Sequence, residues 1–356
     1  MFLREKTRKV TVGDVTIGGS CRISVQSMTN TDTRNVAATI AQIRELEEAG
    51  CDIIRVAVPD MEAATCIKDI KSAIKLPLVA DIHFDYRLAI ESIKNGADKI
   101  RINPGNMADE DHIKAVVDCA KEYHIPIRVG VNSGSLPKLY NEKTAESVVA
   151  GAYSQIEILE KYDFEDIVVS LKCSDIETSY LSYKLFAEKY DYPLHVGITE
   201  AGTVFSGTIK SCAGIGSILS LGIGDTIRVS LTGNPLEEVK VGRELLHSMN
   251  LGGNKKVTFV SCPSCGRCRI DLIKTACEIE EALNSPGVSS QISRPITVAV
   301  MGCAVNGPGE ARHADIGLCG GNGEALLFKK GQIVCKLPSK TMVETFVQSV
   351  IDYAAE

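Results

Sequence analysis

Three cysteines stand three residues apart in Ser261-Cys262-Pro263-Ser264-Cys265-Gly266-Arg267-Cys268. A fourth, Cys303, lies in the Gly/Pro-rich run Met301-Gly302-Cys303-Ala304-Val305-Asn306-Gly307-Pro308-Gly309-Glu310. A C-x2-C pair gathers two thiolates round one metal centre, and the added x2-C is a spacing used for iron–sulfur clusters. Glycines beside Cys303 let backbone amides approach cluster sulfurs, a contact that tunes potential. The ferredoxin ending C-x3-C-P is missing, because Cys268 is followed by Arg-Ile-Asp-Leu-Ile. Zinc is the rival metal, but it would suit a second C-x2-C pair, and Cys303 and Cys319 stand far apart in sequence.

A second set of residues could hold anions. Strand side chains alternate between faces, so residues two apart look the same way. Arg101 and Asn103 share a face, as do Arg128 and Asn132, Ser170 and Lys172, His195 and Thr199, Arg228 and Ser230, and Asp81 and His83. With Arg55, five cations (Arg55, Arg101, Arg128, Lys172 and Arg228) fall in or at the ends of apolar segments. Gathering them is costly unless a ligand with several negative oxygens compensates, and arginine's planar fork matches phosphate. Pairing with Asp81 and Glu200 as internal ion pairs is the competing role for any one of them.

The elements that would position these groups follow a regular beat. Apolar β-type segments occur at 23–29, 52–58, 77–82, 98–104, 126–132, 166–172, 193–199 and 226–232, separated by amphipathic stretches of helical length. Eight such alternations predict an N-terminal (β/α)8 TIM barrel over 1–251, with catalytic groups at the C-terminal ends of the strands. A doubly wound open sheet is the competitor, though no Gly-rich dinucleotide fingerprint follows a first strand. The Gly252-Gly253-Asn254-Lys255-Lys256 linker leads to a smaller α+β domain over 257–356. That domain has a helix near 269–284, a strand ITVAVMG, a hairpin around Lys330-Gly331 and a last helix near 340–355.

Composition narrows the function class. A formal net charge of -6 argues against a general nucleic-acid binder and makes any basic patch local. The N-terminus has no signal-peptide core and no run is long enough for a membrane span, which predicts a cytoplasmic protein. Thirteen cysteines, an odd number, favour reduced thiols over a disulfide framework. Cys21, Cys51, Cys66, Cys119, Cys173 and Cys212 lie in or beside barrel elements and read as small buried hydrophobes.

The order of KIRINPGN (99–106), IRVGVNSGSL (127–136), LHVGITEAG (194–202), SCPSCGR (261–267) and GCAVNGPGEARHADIG (302–317) resembles the 4-hydroxy-3-methylbut-2-enyl diphosphate synthase family of the methylerythritol phosphate route to isoprenoids, in its two-domain bacterial form. The resemblance covers essentially the whole chain. It implies a [4Fe–4S] cluster on Cys262, Cys265, Cys303 and Glu310, the carboxylate being the harder and more easily displaced ligand. The implied substrate is 2-C-methyl-D-erythritol 2,4-cyclodiphosphate, opened and dehydroxylated by two electrons delivered singly, with ferredoxin or flavodoxin as donor. By motif position Arg55, Arg101, Asn103, Arg128, Lys172, Arg228 and Ser230 resemble the substrate-binding set. Asn132, His195 and Thr199 line the same mouth, and Glu200 is the candidate general acid. Cys268 stands where relatives often have threonine and offers a further thiolate.

Assembly can also be read from lengths. The last barrel helix ends at the bottom, and a linker of about five residues reaches roughly 17 Å, less than the ~22 Å of a 15-residue helix. A two-fold homodimer, each second domain covering the partner's barrel mouth, resolves this. The rival enzyme class is a phosphate-ester lyase or transferase barrel with an appended structural zinc domain, separable by colour and metal content.

Overall fold

Segments such as Leu78–Asp81 and Ile167–Lys172 are buried along their whole length, so they need cover on both faces. In the computed structural model they obtain it inside a ring of helices. The structure describes residues 3–104, 107, 109–132, 144–253, 255–304, 311–321 and 324–356. The chain divides into units Met1–Gly252 and Gly253–Glu356.

In the first unit a hairpin, β1 (Val10–Val12) and β2 (Val15–Ile17), precedes eight parallel strands. These are β3 (Ser24–Met28), β4 (Ile53–Ala57), β5 (Leu78–Asp81), β6 (Lys99–Ile102), β7 (Ile127–Asn132), β8 (Ile167–Lys172), β9 (His195–Val196) and β10 (Thr226–Ile227). Their order is β8-β7-β6-β5-β4-β3-β10-β9, and a parallel bridge between Val169 and Leu194 joins the two ends. The helices are α1 (Val36–Glu48), α2 (Met61–Ala73), α3 (Tyr86–Lys94), α4 (Glu110–Tyr123), α5 (Ala145–Glu160), α6 (Ile176–Lys189), α7 (Val204–Ser220) and α8 (Pro235–Ser248). The architecture is the expected TIM barrel, one helix after each strand.

Local chemistry fixes both rims. At the mouth, helix starts are capped by side chains: Asp60 accepts from the Ala63 amide, Thr144 from Ser147 and Asp175 from Thr178. At the bottom, an aspartate just before a strand reaches across to the neighbouring one. Asp52 accepts from the Val25 amide at 2.7 Å, Asp98 from Leu78 at 2.7 Å and Asp225 from Leu194 at 2.8 Å. These side chains satisfy amides at the edge of the ladder and hold its register. The thin β8–β9 seam has a further clasp. Tyr183 of α6 accepts from the Leu171 amide at 3.1 Å and donates to the His195 carbonyl at 2.7 Å.

Two features depart from the sequence expectation. The segments expected at 193–199 and 226–232 form ladders of only two residues each, His195–Val196 and Thr226–Ile227. Past Val196 the chain carries Gly197, whose bare α-carbon approaches the Arg228 carbonyl too closely for a side chain. The N-terminal hairpin was not anticipated. Val10, Val12 and Ile17 bury themselves against Ile53, Val79 and Val168 and plug the barrel floor. At about 1.5–3 kcal/mol for each fully buried aliphatic, that plug is a substantial contribution.

The second unit has a five-stranded sheet ordered β11 (Val257–Ser261), β12 (Ile296–Met301), β13 (Ile316–Gly320), β14 (Glu324–Lys329) and β15 (Gln332–Pro338). The first three run parallel and the last two antiparallel. Helices α9 (Leu272–Asn284) and α11 (Met342–Ala355), with a short turn α10 (Pro286–Ser289) between them in sequence, complete this α+β unit. The β14–β15 turn is made by Lys330 and Gly331, both at positive φ. Among the described residues no helix is long and apolar enough to cross a membrane.

Candidate active site

The inward positions of the strands bring the expected cations together. Arg55, Arg101, Arg128, Lys172 and Arg228, with Asp81, His83, Ser170, Thr199 and Ser230, line one cavity of about 210 Å³ at the C-terminal ends of the strands. Register explains the convergence: Arg101 lies beside Asp81 and Arg128, and Asn132 beside Lys172. Glycines make the room. A methyl at Gly130 would meet Arg101 Nε at 3.0 Å and Ser170 Oγ at 3.1 Å.

Counter-charge is scarce. Asp81 lies 3.7 Å from Arg55 Nε and 3.3 Å from Arg101 Nη1. Burial works to raise its carboxyl, but Arg55, Arg101 and Arg128 outweigh that and hold it down at about 2. Glu238, in the first turn of α8, is 3.5 Å from Arg228 and accepts from Ser27 Oγ and the Leu231 amide. Burial and neighbouring cations push Arg55 down to about 10, and Arg128 and Lys172 well below their usual ranges. Nε and Nη1 of Arg128 and Nε of Arg101 and Arg228 have no protein hydrogen-bond partner among the described residues. Unpaired donors around a small cavity are what a polyanion would satisfy.

Other expected residues fall elsewhere. His195 was expected at the mouth but is fully buried one layer deeper, level with Thr226 rather than Arg228, because β9 pairs in that register. Asn103 is buried at the end of β6, its Oδ1 without a partner among the described residues, and it does not line the cavity. Glu200 is exposed, at positive φ, and makes no ion pair with the arginines among the described residues. The side chain of Asn132 and all of Glu310 lie outside the described residues. Glu238 and Lys99 belong to this interior and were not singled out by sequence. Lys99 stands two before Arg101, a spacing that already put it on the same face.

In the second unit the thiols gather at the ends of two adjacent parallel strands. Ser261 is in register with Val300, so Cys262 leaves its strand level with Met301 and adjoins Gly302. Cys262 Sγ accepts from the Gly302 amide at 3.3 Å, and Cys268 Sγ from the Cys265 amide at 3.4 Å. A methyl on Gly302 would lie 2.4 Å from Cys268 Sγ, so glycine is required there. Cys303 is buried next along the chain. Hydrogen bonds from Arg267 hold the exposed Cys265 thiol below its ordinary range. Soft thiolates flanked by backbone N–H donors fit an iron–sulfur cluster. Among the described residues, no three His, Cys, Asp or Glu side chains are grouped so as to hold a metal ion. All thirteen cysteines are free of disulfides. Of the six expected to be buried, Cys51, Cys119 and Cys173 are, whereas Cys21, Cys66 and Cys212 are half-buried.

Comparison with known proteins gives the following. Residues 7–243 match the family described as GcpE TIM-barrel domain, and residues 258–352 match GcpE protein C-terminal domain. The chain is similar to 4-hydroxy-3-methylbut-2-en-1-yl diphosphate synthase (flavodoxin) of Anoxybacillus flavithermus, 56% identical over 357 residues, covering 99% of this chain and 96% of that protein. The protein of that name from Clostridium perfringens is 55% identical over 352 residues, covering 98% and 99%. Among solved structures, Yersinia pestis dihydropteroate synthase superposes with a TM-score of 0.51 at 14% identity, over 68% of this chain and 97% of that one. That likeness concerns the barrel fold alone.

Proposed function

The chain belongs to the GcpE family, and from that premise we infer that it performs the reaction its relatives are named for. It is an oxidoreductase that converts 2-C-methyl-D-erythritol 2,4-cyclodiphosphate to 4-hydroxy-3-methylbut-2-enyl diphosphate in isoprenoid precursor synthesis. Two C–O bonds break, one to the cyclic diphosphate and one to a hydroxyl. A C=C bond forms, two electrons are consumed and water leaves. The cofactor is a [4Fe–4S] cluster, which supplies the electrons one at a time.

The observation that carries the reading on the substrate side is the cation-lined cavity, with five basic side chains facing Asp81 inside a barrel mouth. In this reading Arg55, Arg101, Arg128, Lys172 and Arg228 hold the diphosphate. Ser230 and Thr199 supply hydroxyl contacts, Asn132 orients the chain end of the sugar, and Asn103 supports the mouth from the end of β6. Asp81 keeps two guanidiniums fixed before substrate arrives, which lowers the reorganisation needed on binding. Glu200 protonates the departing hydroxyl. Cys262, Cys265, Cys303 and Glu310 hold the cluster, and residues 257–356 are its domain. Ferredoxin or flavodoxin delivers the electrons, the protein works in the cytoplasm, and it is a homodimer whose active site is shared between chains.

The test is anaerobic purification followed by visible spectra before and after dithionite, with the cyclic diphosphate then added. The reading expects a brown protein that bleaches and yields 4-hydroxy-3-methylbut-2-enyl diphosphate by mass spectrometry. A colourless protein with stoichiometric zinc that resists cluster reconstitution would refute it in favour of a zinc-bearing barrel.

A further inference from the structure

Beneath the cavity the barrel holds a second polar layer. Lys99 opens β6 and faces inward below Arg101. Its side chain is fully buried, and its Nζ has no protein hydrogen-bond partner among the described residues. Around it the other strands present Arg55 from β4, Arg128 from β7 and His195 from β9. The same interior holds Gln26 and Thr226, whose side-chain polar atoms also have no partner among the described residues. Its register partner on β5 is Val79. Asp81, the next inward residue of β5, is taken up by Arg55 and Arg101, and Glu238 by Arg228. No described carboxylate is therefore left for Lys99.

Such crowding is relieved most cheaply by losing one proton. Guanidinium groups do not give theirs up in proteins, whereas a buried ammonium does. Burial first, then Arg128 and Lys172, push His195 toward the neutral imidazole. Burial, then Arg128 and Arg55, act on Lys99 in the direction of the neutral amine. Lys172 feels similar forces, but it lines the cavity and would touch an anion directly.

We propose that Lys99 is a charge-adjusting positioning residue, a neutral amine in the free protein that takes up a proton when an anionic substrate docks in the cavity above it. The N–H bond forms at Lys99 Nζ with a proton from solvent. The ammonium then lies beneath the diphosphate as ring opening exposes a further ionisable oxygen. The inference rests on the diphosphate reading of the cavity and adds one residue and one proton to it. Each phosphorus of the cyclic diphosphate carries a single strongly acidic oxygen, so the ligand itself does not titrate near neutrality and any uptake belongs to the protein.

The test is calorimetric titration of the full-length, cluster-loaded, oxidised protein with 2-C-methyl-D-erythritol 2,4-cyclodiphosphate. Two buffers of different ionisation enthalpy are used at each of several values between about pH 6 and 9, so that protons are counted. Wild-type protein is expected to take up about one proton more than either Lys99→Met, which cannot be charged, or Lys99→Arg, which cannot be discharged. Circular dichroism and cooperative melting establish that each variant is folded. Buffer-independent heats for the wild type across the range overturn the proposal without any variant. A folded Lys99→Arg protein with wild-type uptake also overturns it, assigning the proton to Lys172 or His195. Absence of any binding by the wild type sinks the diphosphate reading instead, so the two failures are distinct.

Discussion

Gly197→Ala is the most searching single change, because it adds one methyl group where the site has least give. The new Cβ would lie 2.6 Å from the Arg228 carbonyl oxygen and 2.9 Å from Lys172 Nζ. The ammonium is the end of a flexible chain and can swing away. The carbonyl cannot, because the Arg228 amide is tied to the Val196 carbonyl at 2.9 Å across the same seam. Reaching an ordinary contact requires a backbone shift of about 0.8 Å, and overpacking of this kind costs roughly 1–3 kcal/mol. For a domain of this size that lowers Tm by about 3–9 °C. Displacing Lys172 and re-aiming Arg228 removes charge-assisted contacts of about 1.5–3 kcal/mol, which weakens substrate binding roughly 10- to 100-fold. Gly130→Ala is the control. Its methyl would meet side-chain atoms, Arg101 Nε at 3.0 Å, Ser170 Oγ at 3.1 Å and Arg101 Nη2 at 3.3 Å. Its Tm should fall by less than half as much. Differential scanning fluorimetry and anaerobic titration with the cyclic diphosphate measure both quantities. A Gly197→Ala protein with wild-type melting and wild-type affinity would refute the claim that this glycine makes room for the cation ring.

Asp81→Asn removes the carboxylate shared by Arg55 and Arg101, so the free protein should lose about 3 kcal/mol while inorganic diphosphate raises its Tm more than it raises the wild type's. Acid should expose the same group. The Asp81 carboxyl stands at about 2 in the folded protein against 3.8 ordinarily, so its contribution of about 2 kcal/mol is present above pH ~4 and is lost as pH falls through ~2. Urea melts between pH 5 and 2 should show a smaller acid-dependent loss in Asp81→Asn than in wild type. Cys303→Ala should abolish the brown chromophore with the barrel's circular dichroism intact, whereas Cys268→Ser should keep the colour; loss of colour in Cys268→Ser would make that thiol a ligand. Ile17→Ala, in the floor plug, should cost about 2–4 kcal/mol by chemical denaturation with KM unchanged, since it lies at the end of the barrel opposite the cations.

The strand–helix beat and the inward cations were legible because both are periodic: alternation with period two places Arg101 with Asn103, and eight repeats imply closure. What sequence could not supply was depth. His195 shares a face with Thr199, and Arg228 with Ser230, yet the β9–β10 register puts the histidine a layer lower. Periodicity gives the face of a strand but not its height in the barrel, and height decides whether a side chain meets substrate or supports one that does. Glu238 escaped notice for a related reason. It belongs to a helix whose first turn ordinarily carries acidic residues for the macrodipole, and only the fold turns it inward to Arg228. Lys99 stands two residues from Arg101 on the same face, but spacing does not show that it is buried, and buried lysines are rare. That rarity is an argument for its importance: a barrel that buries a lysine with no hydrogen-bond partner among the described residues, in an interior already lined by guanidiniums, has a use for a group whose charge can change.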